Sequence, residues 1–137
     1  MAKVSPISTE SKRDWYEAIS KDQPDAVDLS PIDQELFHHA FECFTGGNNT
    51  LAFKGFSELA EKGSSISQYF LGIMCLEGLG VLQDYLKAHM WFNIAASSGH
   101  KKARNQLENL TRQLGAEQVV DAQKLAKDWV DQTSSDI

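Results

Sequence analysis

Apolar residues recur along this chain at helical spacing, and glycines with hydroxyl or amide side chains stand between the periodic runs. Ser30-Pro31-Ile32-Asp33 is a helix start, with serine as N-cap, proline at the first helical position and a carboxylate three residues past the cap. Beyond it Leu36, Ala40 and Cys43 fall on one line and Phe37, Phe41 and Phe44 on the next, both at spacing 0, 4, 7. The pattern predicts a helix over 31–45, ended by Gly46-Gly47 and followed by the capping run Asn48-Asn49-Thr50. A second helix over 51–62 sets Ala52, Phe56, Leu59 and Ala60 on one face and stops at Gly63. Ser65-Ile66-Ser67-Gln68 reads as the capping box of a third helix over 66–77. That helix is apolar almost all round, so it needs cover on more than one side and belongs centrally in a stack.

The turn at Gly78–Val81 leads into a fourth helix over 83–98, with Tyr85, Ala88, Phe92 and Ala95-Ala96 in step. The fifth, over 100–113, aligns Ala103, Leu107 and Leu110; the last, over 116–132, aligns Val119, Ala122, Ala126 and Trp129. No strand-like alternation of useful length interrupts them, so the chain reads as all-α. Residues 1–29 are polar and broken by Pro6 and Pro24. They read as a tail or loose cap with a short helix near 13–20, where Trp15-Tyr16 would dock on a neighbouring helix. Residues 133–137 read as a second tail.

Sliding the chain by 36 residues pairs Ala52 with Ala88, Phe56 with Phe92, Ala60 with Ala96, Gly63 with Gly99 and Leu71 with Leu107. The matched positions are the core stripe and the helix stops, which stacked helix pairs require. Two units follow, about 51–82 and 83–114, within a domain over 30–132 that includes flanking helices at 31–45 and 116–132. Trp91 is paired with Gly55, an asymmetry that predicts a shallow pocket near Gly55.

In its middle the chain resembles the Sel-1-like repeats, relatives of the tetratricopeptide repeats. The resemblance rests on Leu71-Gly72, Met74, Gly78-Leu79-Gly80-Val81, Gln83-Asp84-Tyr85, Lys87-Ala88, Trp91-Phe92, Ala95-Ala96, Gly99-His100, Ala103 and Leu107. It is specific over 67–107, weaker over 51–66, and covers roughly three quarters of the chain; Leu114–Trp129 is similar to the helix that closes bacterial members. Cys75 stands where the family usually has tyrosine, Leu82 where proline is common, and Gly115 where a hydroxyl N-cap is usual. The resemblance implies an α-solenoid of stacked antiparallel helix pairs with N- and C-terminal caps. The implied role is a non-catalytic protein–protein interaction module, an adaptor or regulatory scaffold in a bacterial cytoplasm.

Composition narrows the picture. The 137 residues suffice for one core, and a net charge of −6 without a basic stripe argues against nucleic acid. Two cysteines within apolar helical patterns suit a reducing compartment, and no apolar run reads as a signal peptide or a membrane span. His38-His39-Ala40-Phe41-Glu42-Cys43 aligns His38 with Glu42 and His39 with Cys43, but zinc needs three or four convergent ligands. Gly78-Leu79-Gly80 follows a helix and lacks the strand that a nucleotide loop needs. The expectation is no enzyme, no metal and no cofactor.

A concave wall formed by the first helix of each pair is the expected docking surface. Its off-stripe residues are Lys54, Ser57, Glu58 and Glu61 on one helix and Leu86, Met90, Asn93, Ile94 and Ser97 on the other, with Lys54, Glu58 and the five of the second helix taken as the docking residues. Leu86, Met90 and Ile94 are apolar at spacing 0, 4, 8, which fits either a groove floor for a partner's helix or peptide, or packing beneath a cap. The alternative function is self-association, a homodimer through the phenylalanine-rich first helix.

Overall fold

A computed structural model describes residues 29–134. The short helix expected near 13–20 and the docking of Trp15-Tyr16 lie outside the described residues, as does the end of the 133–137 segment. Six helices follow one another among the described residues: α1 Pro31–Thr45, α2 Asn49–Glu61, α3 Ser65–Glu77, α4 Tyr85–Ser97, α5 Lys101–Gln113 and α6 Ala116–Ser134. Those residues contain no strand.

The caps come from the polar residues between the apolar runs. The Ser30 hydroxyl accepts from the Asp33 N–H at 3.2 Å, and Asn48 accepts from Leu51. For α3 the cap lies one residue before the expected one: Ser64, not Ser65, accepts from the Ser67 N–H at 3.3 Å. Gln68 is then freed to donate to the Ala60 carbonyl at 3.2 Å, tying α3 back to α2. The fourth helix begins at Tyr85 instead of 83, because Asp84 is its extended N-cap and accepts from the Lys87 N–H at 3.0 Å. Tyr85 is consequently a first-turn residue, 48% exposed, and stands outside the core stripe to which its spacing assigned it.

The 36-residue offset holds in three dimensions. Helices α2 and α3 (49–61 and 65–77) map onto α4 and α5 (85–97 and 101–113), and the N-caps Asn48 and Ser64 map onto Asp84 and His100. His100 does with Nδ1 what Ser64 does with its hydroxyl, accepting from the Ala103 N–H at 3.1 Å. Gly63 and Gly99 take nearly the same left-handed turn, with φ of 95° and 92°.

Each helix packs on the next from α1 to α5. The first core layer gathers Phe37, Phe41, Phe56 and Phe70, with Phe56 and Phe70 stacked at 4.9 Å between centroids. Gly55 permits the close approach of α1 and α2: a Cβ there would lie 2.8 Å from that of Ala40. Gly55 itself is therefore covered by α1. The second layer gathers Phe92, Ala88, Ala95 and Ala103 with Tyr69 and Cys75. Gly72 is needed here, because a Cβ would meet the Phe92 ring at 2.5 Å.

The last helix departs from the simple order. α6 packs chiefly on α4, not on α5. Met90, Ile94 and Ala126 form a third small core, with Trp91 packed against Trp129 at 5.2 Å between ring centroids. The outer face of α5 is left to water and is polar, with Lys101, Arg104, Glu108 and Arg112 exposed. That face closes its end of the stack. On α1, Phe37 and Phe41 are buried and His38, His39 and Glu42 are exposed, so the phenylalanines that suggested a dimer surface point inward.

Candidate functional site

The loop from Gly78 to Asp84 fixes the relation between the helices that border the site. Gly78 ends α3 in the left-handed conformation (φ 72°), and the Leu79 N–H donates to the Met74 carbonyl at 2.9 Å. Gly80 (φ 74°) packs so tightly on the start of α2 that a Cβ would sit 2.6 Å from the Asn49 carbonyl oxygen. Gln83 Nε2 donates to the Leu76 carbonyl at 2.8 Å, and the Asp84 N–H donates to that of Cys75 at 2.9 Å. The Gln83-Asp84 pair thus satisfies the open end of α3 and starts α4 in one stroke. The loop thus ties the start of α2, the end of α3 and the start of α4 together.

Between α2 and α6, with α4 as floor, lies a groove enclosing about 780 Å³. Phe53, Ser57 and Glu61 of α2 form one wall, and Leu125, Asp128, Trp129 and Gln132 of α6 the other. Lys87, Met90 and Trp91 lie on the floor, and Val81, Leu82 and Asp84 close one end. Cys75 borders it at depth; burial, then the Asp84 carboxylate, push its thiol up to about 11. Such a thiol stays protonated near neutrality and is a poor nucleophile. Leu82 is 92% and Leu125 38% exposed, so apolar surface is on offer to a ligand.

The structure divides the expected docking residues. Lys54 and Glu58 are exposed on α2, beside the wall that Phe53, Ser57 and Glu61 present. Met90 reaches the groove but is 7% exposed, and Ile94 is 6% exposed beneath α6, as the packing alternative required. Asn93, Ile94 and Ser97 border a separate depression of about 280 Å³ on the other flank of α6, with Lys127 and Val130. Leu86 is half-buried and lines neither. The continuous wall is thus interrupted, because α6 lies across its second half. Phe53, Leu82, Leu125 and Trp129 were not foreseen as site residues. One signal for them was available: the stripe Ala122, Ala126, Trp129 on the last helix is a match in kind for Met90 and Ile94.

Metal chemistry finds few donors here. His39 Nε2 and Cys43 Sγ lie 3.8 Å apart on α1, and no group of three or more metal-ligating side chains occurs among the described residues. No helix among them is long and apolar enough to cross a membrane.

Stacked antiparallel helix pairs whose helix bounds and caps recur at 36 residues define a short α-helical solenoid. Residues 65–100, which span α3, the glycine turn and α4, match the family model of the Sel1 repeat, and the chain carries a Sel1-like repeat there. The match straddles the division into units at 82 and 83, because it takes the second helix of one unit with the first of the next. Sel1 repeats generally mediate protein–protein interaction. No curated protein matches the chain.

Proposed function

We propose that this protein is a non-catalytic interaction module, an adaptor or regulatory scaffold that binds a segment of a partner protein in the groove between α2 and α6. The observation that carries the reading is the juxtaposition of an aromatic floor and walls (Phe53, Trp91, Trp129) with exposed Leu82 and Leu125 in one open groove. Exposed apolar surface concentrated in a concavity marks an interaction site more often than a solvated one. Of the residues first expected to bind, Lys54, Glu58 and Met90 lie at or beside this groove. Asn93, Ile94 and Ser97 border the depression on the other flank of α6, and Leu86 lines neither. The Cys75 thiol that borders the groove is pushed up to about 11, chiefly by burial, which makes it a poor nucleophile near neutrality.

Affinity capture from the source cell tests this with substitutions that spare the core. Leu125→Glu and Ser57→Arg change the groove walls; Arg104→Glu, on the exposed face of α5, is the control. A partner retained by the native protein and the control but lost from both groove variants supports the reading. Equal capture by all four proteins overturns it.

A further inference from the structure

The groove carries unbalanced charge around its apolar floor. Glu61, Asp84 and Asp128 line it together with a single cation, Lys87. Among the described residues, the ion pairs Lys62–Asp33 and Lys127–Asp131 involve none of these carboxylates. Lys127, next to Asp128 in sequence, is held 3.0 Å from Asp131 and faces the other depression. The acidic residues are distributed around the groove: Glu61 on the α2 wall, Asp128 on the α6 wall, Asp84 at the closed end.

An occupant that lays only apolar surface here would strip water from the carboxylates of Glu61 and Asp128 and give them nothing in return, while Asp84 keeps the Lys87 N–H that it caps. An acidic occupant would add repulsion. Lysine or arginine at the edges of an apolar stripe meets both demands, and its cation is also attracted to the faces of Trp91 and Trp129. Resting on the groove reading above, we propose that the bound segment is a cationic amphipathic helix of another protein. Its apolar residues recur at helical spacing and sit on Trp91 and Phe53, and its lysines or arginines face Glu61 and Asp128.

The test uses the full chain with benzoylphenylalanine in place of Leu125 and two synthetic helical peptides. Both peptides carry the same leucine and phenylalanine stripe; one is flanked by lysines and the other by glutamates. The expected result is cross-linking to the lysine peptide, binding at least tenfold tighter than the glutamate peptide, and an affinity that falls as salt rises. In an E61K/D128K variant, whose two exposed positions leave helicity unchanged by circular dichroism, the preference inverts. Equal binding of the two peptides, or no inversion, overturns the cationic partner and leaves the groove reading standing. Cross-linking of position 125 to the chain's own residues or to a second copy, with neither peptide captured, overturns both.

Discussion

Helices α2 and α4 are the same element twice, and their inner faces share one stripe of two alanines about a phenylalanine. Ala52, Phe56 and Ala60 correspond to Ala88, Phe92 and Ala96, and all six are buried. Their outer faces do not agree. Lys54 and Glu58 are exposed on α2, whereas Met90 and Ile94, at the equivalent positions of α4, are 7% and 6% exposed. The cause is α6, which lies over α4 and leaves α2 open. The repeat dictates the side that faces the next helix; the neighbour outside the repeat dictates the other. The step between a covered and an uncovered helix is the groove.

The largest effects should fall where the two helices agree. Phe56→Ala and Phe92→Ala should each cost about 3–5 kcal/mol in chemical denaturation, because both rings are fully buried in equivalent layers. A marked inequality would show that the two core layers are not equivalent. Next comes the outer face. Ile94→Ala should cost about 2–5 kcal/mol, and Glu58→Ala should stay within about 0.5 kcal/mol. Similar costs for the two would mean that α2 is as covered as α4.

A smaller difference is expected between the second helices of the two units. Gly72→Ala places a methyl 2.5 Å from the Phe92 ring and should cost about 1–3 kcal/mol. Glu108→Ala, at the equivalent position on the exposed face of α5, should be silent in the same urea titration.

The smallest effect depends on pH. His89 of α4 is buried where α2 has Phe53; its Nε2 lies 2.8 Å from Thr111 Oγ1, and its Nδ1 has no hydrogen-bond partner. Burial lowers its pKa below the ordinary 6.5, so the unfolded chain binds the proton more readily than the folded one. Its contribution is therefore fully present above about pH 6.5 and declines as pH falls from there towards the folded value. Melting temperature should drop over that interval in the native protein, and His89→Leu should flatten the drop.

Most of the fold was legible because its causes are local. The apolar runs and the glycines and caps between them place all six helices within two residues of those observed at every boundary. Ser64 displaced Ser65 as cap because the turn after Gly63 orients the earlier hydroxyl towards the Ser67 N–H, a choice that serine spacing alone does not make. Tyr85 was misread because Asp84 caps the helix and moves its start past Gln83. The site was less legible, since it depends on where one distant helix lies. Met90 and Ile94 announced an unusual apolar face, but only the position of α6 decides that they are cover for Ala126 and that Phe53, Leu125 and Trp129 border open space.

The position of α6 over α4 is thus the point on which the groove, the asymmetry of the two repeats and the binding reading all turn. The contact between Trp91 and Trp129 reports it most directly, with ring centroids 5.2 Å apart at an interplanar angle of 72°. Nuclear Overhauser effects between the two indoles are the measurement to make, with resonances assigned through Trp91→Phe and Trp129→Phe. Cross-peaks between the rings, with an upfield-shifted edge proton on one of them, are the predicted result. Their absence in a folded sample, with each indole's shifts unchanged when the other is replaced, would place α6 elsewhere and remove the groove.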